Sequence, residues 1–217
     1  MKLPHRMPRL LQPLLPGICR RPSPSSAGEM APDPHTLYLT FDDGPVPGVT
    51  DYILELLAKS AAQATFFAVG DNVRKCPELA REVVAAGHGL ENHTFHHLKA
   101  WSTPKGRYLS DLEQTRALIY AETGYACRFF RPPYGQIPLR SLPAIQQNYE
   151  LVFWDVLSGD IDPRQTDAEV LHACVRYMRP GSVLLFHDQE KTKTRLRRVL
   201  PDLLRHITDA GYTLKCL

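Results

Sequence analysis

This sequence predicts an α/β fold in which a parallel β-sheet is covered by helices. The first observation is that strand-like and helix-like segments alternate from Thr36 to the C-terminus. The second is that 43% of the 217 residues are hydrophobic and 23% are charged, so one domain of moderate size can bury a sizeable core. The pattern alone allows either a closed barrel or an open, doubly wound sheet. In both folds, functional groups follow the C-terminal ends of the strands.

Each element is predicted from its own local pattern. Strands are expected at residues 36–41, 64–69, 90–92, 127–130, 149–156, 182–186 and 212–216. Helices are expected after Thr50 and Pro77, before Gly124, and at residues 139–147, 166–178 and 194–210. Ser110 and Glu113 have the spacing of a capping box, which would start the helix that Gly124 ends.

Residues 1–35 are predicted to be an N-terminal extension, and residues 36–217 the folded domain. The segment 22–35 is rich in proline and serine, which is typical of a loop or tether. Residues 1–20 loosely resemble an export signal, but prolines interrupt the apolar run and no small-residue cleavage site follows. The sequence therefore slightly favours a cytoplasmic protein. No segment approaches the roughly 20 apolar residues of a membrane span.

Charge and cysteine content argue against several classes of protein. The net charge of +3 is too small to indicate a nucleic-acid partner. A solvated helix face is the favoured interpretation of the basic run Lys191, Lys193, Arg195, Arg197 and Arg198. The five cysteines are odd in number and contain no C-x-x-C pair, so neither a disulfide framework nor a zinc knuckle is indicated.

Polar residues that can carry chemistry follow five of the seven predicted strands. They are Asp42 with Asp43, then His93, Arg131, Asp155 with Asp160, and His187. After the first strand, Gly44-Pro45 supplies the turn that lets two neighbouring carboxylates converge on one site. Alone, an Asp-Asp-Gly segment is more often an ordinary acidic turn.

Residues 93–97, which read His-Thr-Phe-His-His, are a more specific signal. His93 and His97 are four residues apart, so one helical turn places both imidazoles on one face. Two histidines and one carboxylate suit a metal and leave positions open for water, as in catalytic sites. His96 has a spacing to His93 that also permits a shared face. A cluster of surface histidines is the alternative interpretation.

Two further motifs give weaker signals. Residues 131–134 read Arg-Pro-Pro-Tyr, and the prolines fix the backbone so that the Tyr134 N–H can face a developing oxyanion. Residues 185–187 read Leu-Phe-His and end a buried strand. His187 can act there as a general acid because the pKa of histidine lies near neutrality. Neither motif is specific by itself. Proline turns are common in proteins, and a histidine at the end of a buried strand is more often a core or capping residue.

Together these segments resemble the polysaccharide deacetylases of carbohydrate esterase family four. Residues 40–44 (Thr-Phe-Asp-Asp-Gly) are similar to the first motif of that family, and residues 93–97 to its His-Ser/Thr-x-x-His motif. Residues 131–134 resemble its Arg-x-Pro-Tyr motif, and residues 185–187 its Leu-x-His motif. One such match is weak, but four in the family's order are strong. The resemblance implies a distorted (β/α) barrel of about seven parallel strands, with the active site at their C-terminal ends.

The resemblance also implies a role for each matched residue. Asp43, His93 and His97 would bind a divalent metal, with water completing its coordination. Asp42 would be the general base that takes a proton from the attacking water. His187 would be the general acid that protonates the departing amine.

Other residues would support this chemistry. Arg131 would orient Asp42, and the Tyr134 N–H would help to hold the oxyanion. Asp160 would pair with His187. The residues expected to line the substrate site are Tyr134, Leu185 and Trp154.

One position departs from the family pattern. Asp160 is followed by Ile161, where the family has a tryptophan that helps to line the acetyl pocket. The chemistry is therefore expected to be kept, while the shape of the pocket is expected to differ. Trp101 and Phe186 are candidates to replace the missing ring, and Trp101 is equally a candidate loop anchor.

The resemblance implies a metal-dependent hydrolase that removes N-acetyl or O-acetyl groups from an acetylated amino sugar polymer or oligosaccharide. Zinc suits the ligand types best, and cobalt, nickel or manganese fit the same site. The alternatives are a non-catalytic carbohydrate-binding relative and a metal phosphoesterase. The first is disfavoured because Asp42 and His187 are both present. The second is disfavoured because the sequence has no glycine-rich phosphate cradle and no second carboxylate–histidine cluster.

Overall fold

The computed structural model describes His5, Ile18–Cys19 and residues 35–217. The strands are β1 (Ile18–Cys19), β2 (Thr36–Asp42), β3 (Ala64–Ala68), β4 (Gly89–Asn92), β5 (Phe129–Phe130), β6 (Glu150–Val152), β7 (Val156–Leu157), β8 (Val183–His187) and β9 (Thr213–Leu214). The helices are α1 (Thr50–Lys59), α2 (Gly70–Lys75), α3 (Pro77–Ala85), α4 (Lys105–Thr123), α5 (Leu142–Ile145), α6 (Asp167–Tyr177) and α7 (Lys193–Asp209). Short 3₁₀ helices cover Pro133–Gly135 and Glu190–Thr192.

The strands form a parallel sheet that curves into a half-barrel. The strand order is β1-β6-β5-β4-β3-β2-β8-β7, and β9 pairs with the start of β2. Every strand pairing that the described residues show is parallel. The seven strands from β6 to β7 confirm the prediction of a distorted α/β barrel with about seven parallel strands.

Burial on both faces of the sheet explains why these segments become strands. β2 and β3 are buried along their whole length, as expected for a parallel sheet that is covered on both sides. Helix α7 shows the complementary pattern, with buried residues three or four positions apart at Leu196, Val199, Leu200, Leu203, Leu204 and Ile207. This packing fixes the direction and register of the strands.

The register places the C-terminal ends of the central strands side by side. Asp42 in β2 pairs with Phe67 in β3 and with His187 in β8. On the other side of β3, Asn92 in β4 pairs with Phe130 in β5. Neighbouring strands lie about 4.8 Å apart, so residues that follow these strand ends share one edge of the sheet.

Two helix starts differ from the sequence prediction. Helix α4 begins at Lys105, so Ser110 and Glu113 lie inside the helix and do not form its capping box. Glu113 instead pairs with Arg116 at 2.6 Å along the helix surface. Thr50 is the first residue of α1 rather than its N-cap. The difference at Thr50 is one residue, which is within the usual uncertainty of a helix boundary.

Two other boundaries also differ. The predicted strand 149–156 is divided into β6 and β7, which lie at different places in the sheet. Helix α2 was not predicted at all, since its six residues are too few to show a helical period.

Parts of the predicted N-terminal extension lie against the sheet. Ile18–Cys19 pairs in parallel with residues 151–152 of β6. The carbonyl of His5 accepts a hydrogen bond from the N–H of Leu157 in β7 at 2.9 Å. The apolar residues from Leu10 to Ile18 also suggest a short helix packed on the barrel, but apart from Ile18 that segment lies outside the described residues. The boundary at residue 35 stays a prediction.

None of the helices in the described ranges is long and apolar enough to span a membrane.

Candidate metal centre and active site

Three side chains from two strand ends converge at the edge of the sheet. Asp43 follows β2, and His93 and His97 follow β4. One ligand atom from each of them lies within 4.8 Å of the other two. Asp43 Oδ1 is 3.0 Å from His97 Nε2 and 3.5 Å from His93 Nε2. These are the residues to which the resemblance assigns the metal.

This cluster has the properties of a cation site. Asp43 Oδ1 is buried and makes no hydrogen bond of acceptable geometry to another described residue. Burial raises the pKa of Asp43, but the contact with His97 and the nearby His93 and His187 outweigh it and lower the pKa to about 2. The carboxylate is therefore ionised at neutral pH. One carboxylate with two imidazoles fits a divalent cation such as zinc.

His93 is oriented by the neighbouring strand end. Its Nδ1 lies 2.6 Å from the carbonyl oxygen of Arg131, to which a neutral ring donates its proton. Burial lowers the pKa of His93 and so favours the neutral ring. Its Nε2 is thus left as the lone-pair donor toward a cation. A backbone acceptor of this kind commonly fixes the tautomer of a metal-binding histidine.

The adjacent His96 has a different partner. Its Nδ1 lies 2.5 Å from Asp111 Oδ2, and the N–H groups of Phe95 and His96 donate to the other oxygen of Asp111. Asp111 belongs to α4 and is buried. His96 therefore helps to anchor this loop on α4 and lies outside the metal-ligand cluster. The sequence analysis did not consider Asp111, which follows the histidine motif at no recognisable spacing.

Residues with a left-handed backbone conformation bring these ligands together. The spacing of the histidines had predicted a helical turn instead. The described part of the chain contains five non-glycine residues with positive φ, and four lie at the site: Asp43 (86°), Thr94 (64°), His97 (54°) and Tyr134 (59°). Each such conformation costs about 1–3 kcal/mol and persists only where the surrounding structure imposes it. Backbone strain is thus concentrated where the candidate ligands lie.

A buried arginine holds Asp42 beside the cluster. Arg131 is completely buried, and its Nη1 donates to Asp42 Oδ1 at 2.7 Å and to Thr40 Oγ1 at 2.9 Å. Its Nε and Nη2 donate to the backbone carbonyls of residues 152–153. The second oxygen of Asp42, Oδ2, is 3.8 Å from His93 Nε2. Asp42 is therefore fixed with one oxygen on Arg131 and the other toward the candidate metal ligands.

His187 is held by Asp160 on the opposite side of Asp42. Its Nδ1 lies 2.9 Å from Asp160 Oδ1, and its backbone N–H donates to Asp160 Oδ2 at 2.8 Å. Burial alone would lower the pKa of His187, but the charge and hydrogen bond of Asp160 raise it to about 9. The imidazole is therefore protonated at neutral pH, with Nε2 as its remaining N–H donor.

The turn that carries Tyr134 rests on Trp154. A Cβ at Gly135 would lie 2.9 Å from the Trp154 ring, so glycine is required for this close packing. Tyr134 has the left-handed backbone noted above and is 58% exposed. Its ring centroid lies 4.7 Å from that of His97. The structure thus places Tyr134 at the rim of the cluster, with Trp154 half-buried beneath it.

Three other residues named from the sequence lie away from the surface of the site. Leu185 is 2% exposed and lies on the same face of β8 as His187, one pleat away from it. Phe186 is fully buried against Phe41 in the core, so it does not replace the missing pocket tryptophan. Asp155 accepts a hydrogen bond from the N–H of Val183, at the start of β8. Asp155 is therefore at the strand end opposite to His187, contrary to its predicted placement with the functional strand ends.

Asp188 is a structural support of the site to which the sequence analysis gave no role. Its carboxylate accepts the Gly44 N–H at 2.9 Å and the Thr50 hydroxyl at 2.6 Å. Its own N–H donates to the carbonyl of Asp42 at 3.0 Å. Any side chain at Gly44 would overlap this carboxylate. Asp188 thus ties the turn that carries Asp43 to the end of β8.

Arg195 corrects the interpretation of the basic run as a solvated helix face. Its guanidinium donates to the carbonyls of Asp160, Asp162 and Gln165 at 2.5–2.9 Å, and its side chain is 17% exposed. It thereby fixes the loop that presents Asp160. Ile161 lies in the same loop and lines a cleft of about 480 Å³ beside Arg195.

Comparison with known sequences agrees with this geometry. The sequence profile of the polysaccharide deacetylase family matches residues 29–152, more than half of the chain. A peptidoglycan-N-acetylglucosamine deacetylase of Bacillus cereus is 35% identical over 151 residues, which are 69% of this chain and 54% of that relative. The chain thus spans about half the length of that relative. A chitooligosaccharide deacetylase of Azorhizobium caulinodans is 31% identical over 75% of this chain and 78% of its own length.

The fold also matches solved structures. The structure of peptidoglycan deacetylase PdaC from Bacillus subtilis has a TM-score of 0.77 and 29% sequence identity, over 85% of this chain and 89% of that one. The profile match, the identities and the shared architecture lead to one assignment. The chain belongs to the polysaccharide deacetylase family.

Proposed function

We propose that this protein is a metal-dependent hydrolase that removes N-acetyl groups, or O-acetyl groups, from an acetylated amino sugar polymer or oligosaccharide. The observation that carries the proposal is the convergence of three differently held groups at one edge of the sheet. They are the Asp43–His93–His97 cluster, Asp42 on Arg131, and His187 on Asp160. The relatives named as peptidoglycan and chitooligosaccharide deacetylases support this substrate class.

Asp43, His93 and His97 are the proposed metal ligands. A divalent cation bound there supplies Lewis acidity, which polarises a carbonyl and lowers the pKa of water toward 7. Zinc suits one carboxylate and two imidazoles best, and cobalt, nickel or manganese can occupy the same ligands. Metal analysis of the purified protein, followed by reconstitution with each ion, identifies the one that it uses.

Asp42 is proposed as the general base. Its Oδ1 is occupied by Arg131, which leaves Oδ2 to accept a proton from the attacking water. Because Arg131 is buried and its guanidinium donates four hydrogen bonds, it keeps the carboxylate of Asp42 in one orientation. Arg131 is thus a positioning residue for the base.

His187 is proposed as the general acid. When the tetrahedral intermediate collapses, the C–N bond breaks and the nitrogen must gain a proton to leave as an amine. The raised pKa of His187, about 9, keeps that proton available at neutral pH. The Tyr134 N–H is proposed to donate to the oxyanion of the same intermediate. Trp154 supports the turn from below, and Leu185 is proposed to form part of the pocket floor.

Two alternative functions can be distinguished from the proposed one by experiment. A non-catalytic carbohydrate-binding relative would bind acetylated sugars without releasing acetate. A phosphoesterase with two metals would require a second ligand group. In the described part of the chain, the candidate metal ligands form one group, which disfavours that alternative.

The test is acetate release by the metal-loaded protein from a panel of acetylated oligosaccharides, with an aryl phosphate assayed in parallel. The proposal predicts acetate release that chelation abolishes, and no phosphate release. Binding without acetate release would favour the carbohydrate-binding alternative, and phosphate release would favour the phosphoesterase.

A further inference from the structure

Most large hydrophobic side chains that are exposed in the described part of the chain lie together at one side of the candidate site. Trp101 is 74% exposed, Leu139 66% and Tyr134 58%. The fourth, Tyr120, is 62% exposed and stands apart near the end of α4. Single exposed apolar residues are ordinary, but a group of them beside a cleft marks a binding surface.

Trp101 is held in place although its ring is exposed. Its Nε1–H donates to the carbonyl of Ile137 at 3.1 Å, and its backbone N–H donates to Gln136 Oε1 at 3.3 Å. The same carbonyl of Ile137 accepts the N–H of Leu139 at 2.9 Å. The loop after His97 is thus tied to the loop after Tyr134. A side chain that is already fixed loses little conformational entropy when a ligand covers it.

Tyr134 connects this surface to the candidate metal ligands. Its ring contacts that of His97, and the ammonium of Lys99 lies 5.3 Å from its centroid. Trp101 follows His97 by four residues, so the two Cα atoms are within roughly 14 Å of each other. The two exposed rings therefore lie beside the metal-ligand cluster.

We propose that Trp101, Tyr134 and Leu139 form a platform on which a pyranose ring of the substrate packs, next to the sugar that is deacetylated. The axial C–H groups of a pyranose make one face apolar, and that face packs against an aromatic ring. Trp101 offers its ring rather than its N–H, because the N–H is used inside the protein. A second copy of this chain is a poor occupant, since a stable dimer buries about 800 Å² on each partner and three side chains supply much less.

This inference rests on the proposed function and narrows it. If a neighbouring sugar occupies the platform, the protein acts on chains of several sugars and is less efficient on short ones. The three side chains of the platform form a binding surface and take no part in bond breaking, whereas the oxyanion role proposed for Tyr134 belongs to its backbone N–H.

The test compares acetate release from N-acetylglucosamine oligomers of two and five sugars with hydrolysis of a small aryl acetate. Trp101→Ala should lower kcat/KM for the five-sugar oligomer by about tenfold, mainly through KM, as expected for one aromatic contact. The two-sugar oligomer should be affected less, and the aryl acetate should be unaffected. Because Trp101 is exposed, the substitution should leave the melting temperature near that of the wild type.

Two variants serve as controls. Trp101→Phe keeps an aromatic face and should recover most of the activity on the five-sugar oligomer. Tyr120→Ala removes an exposed ring of similar size away from the site and should change none of the three activities. Calorimetric binding of the five-sugar oligomer to the wild type and to Trp101→Ala, with the oligomeric state measured alongside, completes the set.

The outcomes separate this inference from the proposed function. Equal loss on the aryl acetate, no loss on the five-sugar oligomer, or a change of oligomeric state in Trp101→Ala would overturn the platform. Binding of the oligomer that depends on Trp101, without acetate release by the wild type, would keep the platform and overturn the proposed function. Neither binding nor acetate release would overturn both.

Discussion

The floor of the candidate site and its rim are held in contrasting ways. The floor residues Asp42, Asp43, His93 and Arg131 are at most 7% exposed. Hydrogen bonds from neighbouring strand ends fix three of them directly, and Asp43 is placed by the turn that Asp188 holds. The platform residues at the rim are 58–74% exposed and lie in loops or in the short 3₁₀ helix Pro133–Gly135, outside the sheet.

This difference separates chemistry from recognition. Proton transfer and metal binding need groups placed to within a fraction of an ångström, and the sheet provides that precision. Sugar binding tolerates variation, so loops provide it on the rigid scaffold. Substitutions in the floor should therefore abolish metal binding or catalysis, whereas substitutions in the rim should change substrate preference.

The largest effect is expected at the metal-ligand cluster, from His97→Ala. Loss of one of three protein ligands should abolish metal retention and activity together. Metal content after gel filtration and acetate release are the measurements. The matched control is His96→Ala, which should keep the metal because His96 pairs with Asp111. The reverse pattern would show that His96, and not His97, is the ligand.

His187→Ala should have the next largest effect, and it should depend on the leaving group. Proton donation by a positioned acid contributes about 10²–10⁴-fold, and an amine needs it far more than an activated aryl alcohol does. The rate on an N-acetylated oligosaccharide should therefore fall much more than the rate on an aryl acetate. Exposed His206 provides the control substitution. Equal losses on both substrates would remove His187 from the acid role.

Asp160→Asn should change the pH profile more than the maximal rate. The Asp160 carboxylate stabilises the imidazolium, so its removal should lower the pKa of His187 from about 9. A general acid must be protonated, so the alkaline limb of kcat/KM should move to lower pH. The measurement is the pH profile of kcat/KM for the wild type and for Asp160→Asn on the same N-acetylated substrate. An alkaline limb that stays in place would show that His187 does not control it.

The smallest effect is expected from Asp188→Asn, which acts only through the turn that carries Asp43. Outer partners of metal ligands typically contribute about 10–100-fold to metal affinity, and the lower end is expected here because the amide retains one acceptor. Zinc affinity by competition with a chelator is the measurement, with Asp202→Asn, at a partly exposed position in α7, as the control. Unchanged affinity would mean that the turn holds Asp43 without Asp188.

The sequence predicts the fold class and the principal site residues for a physical reason. Strand and helix periods are local signals, and parallel strands bring their C-terminal ends to one edge. Identifying the strands was therefore enough to predict that four residues lie close together, namely Asp42, Asp43, His93 and His187. The number and direction of the strands are confirmed by the sheet order.

The supports of the site have no comparable local signal. Asp188 reaches Gly44 across 144 positions of sequence, and Arg195 reaches the carbonyl of Asp160 across 35. Such contacts depend on the tertiary fold and have no counterpart in the local sequence pattern. The sequence alone does not distinguish a buried carboxylate or guanidinium from an exposed one. For this reason Arg195 was predicted to lie on a solvated helix face.

The central claim is that the floor combines a metal site with a separate base, and Asp42→Asn tests it most directly. An amide cannot accept the proton from water, but it can still accept a hydrogen bond from Arg131, so metal and fold should be kept. The measurement is bound metal per chain and the rate of acetate release on the same sample. The expected result is wild-type metal content with acetate release reduced by about 10²-fold or more. Wild-type acetate release from Asp42→Asn, or loss of its metal, would contradict the claim.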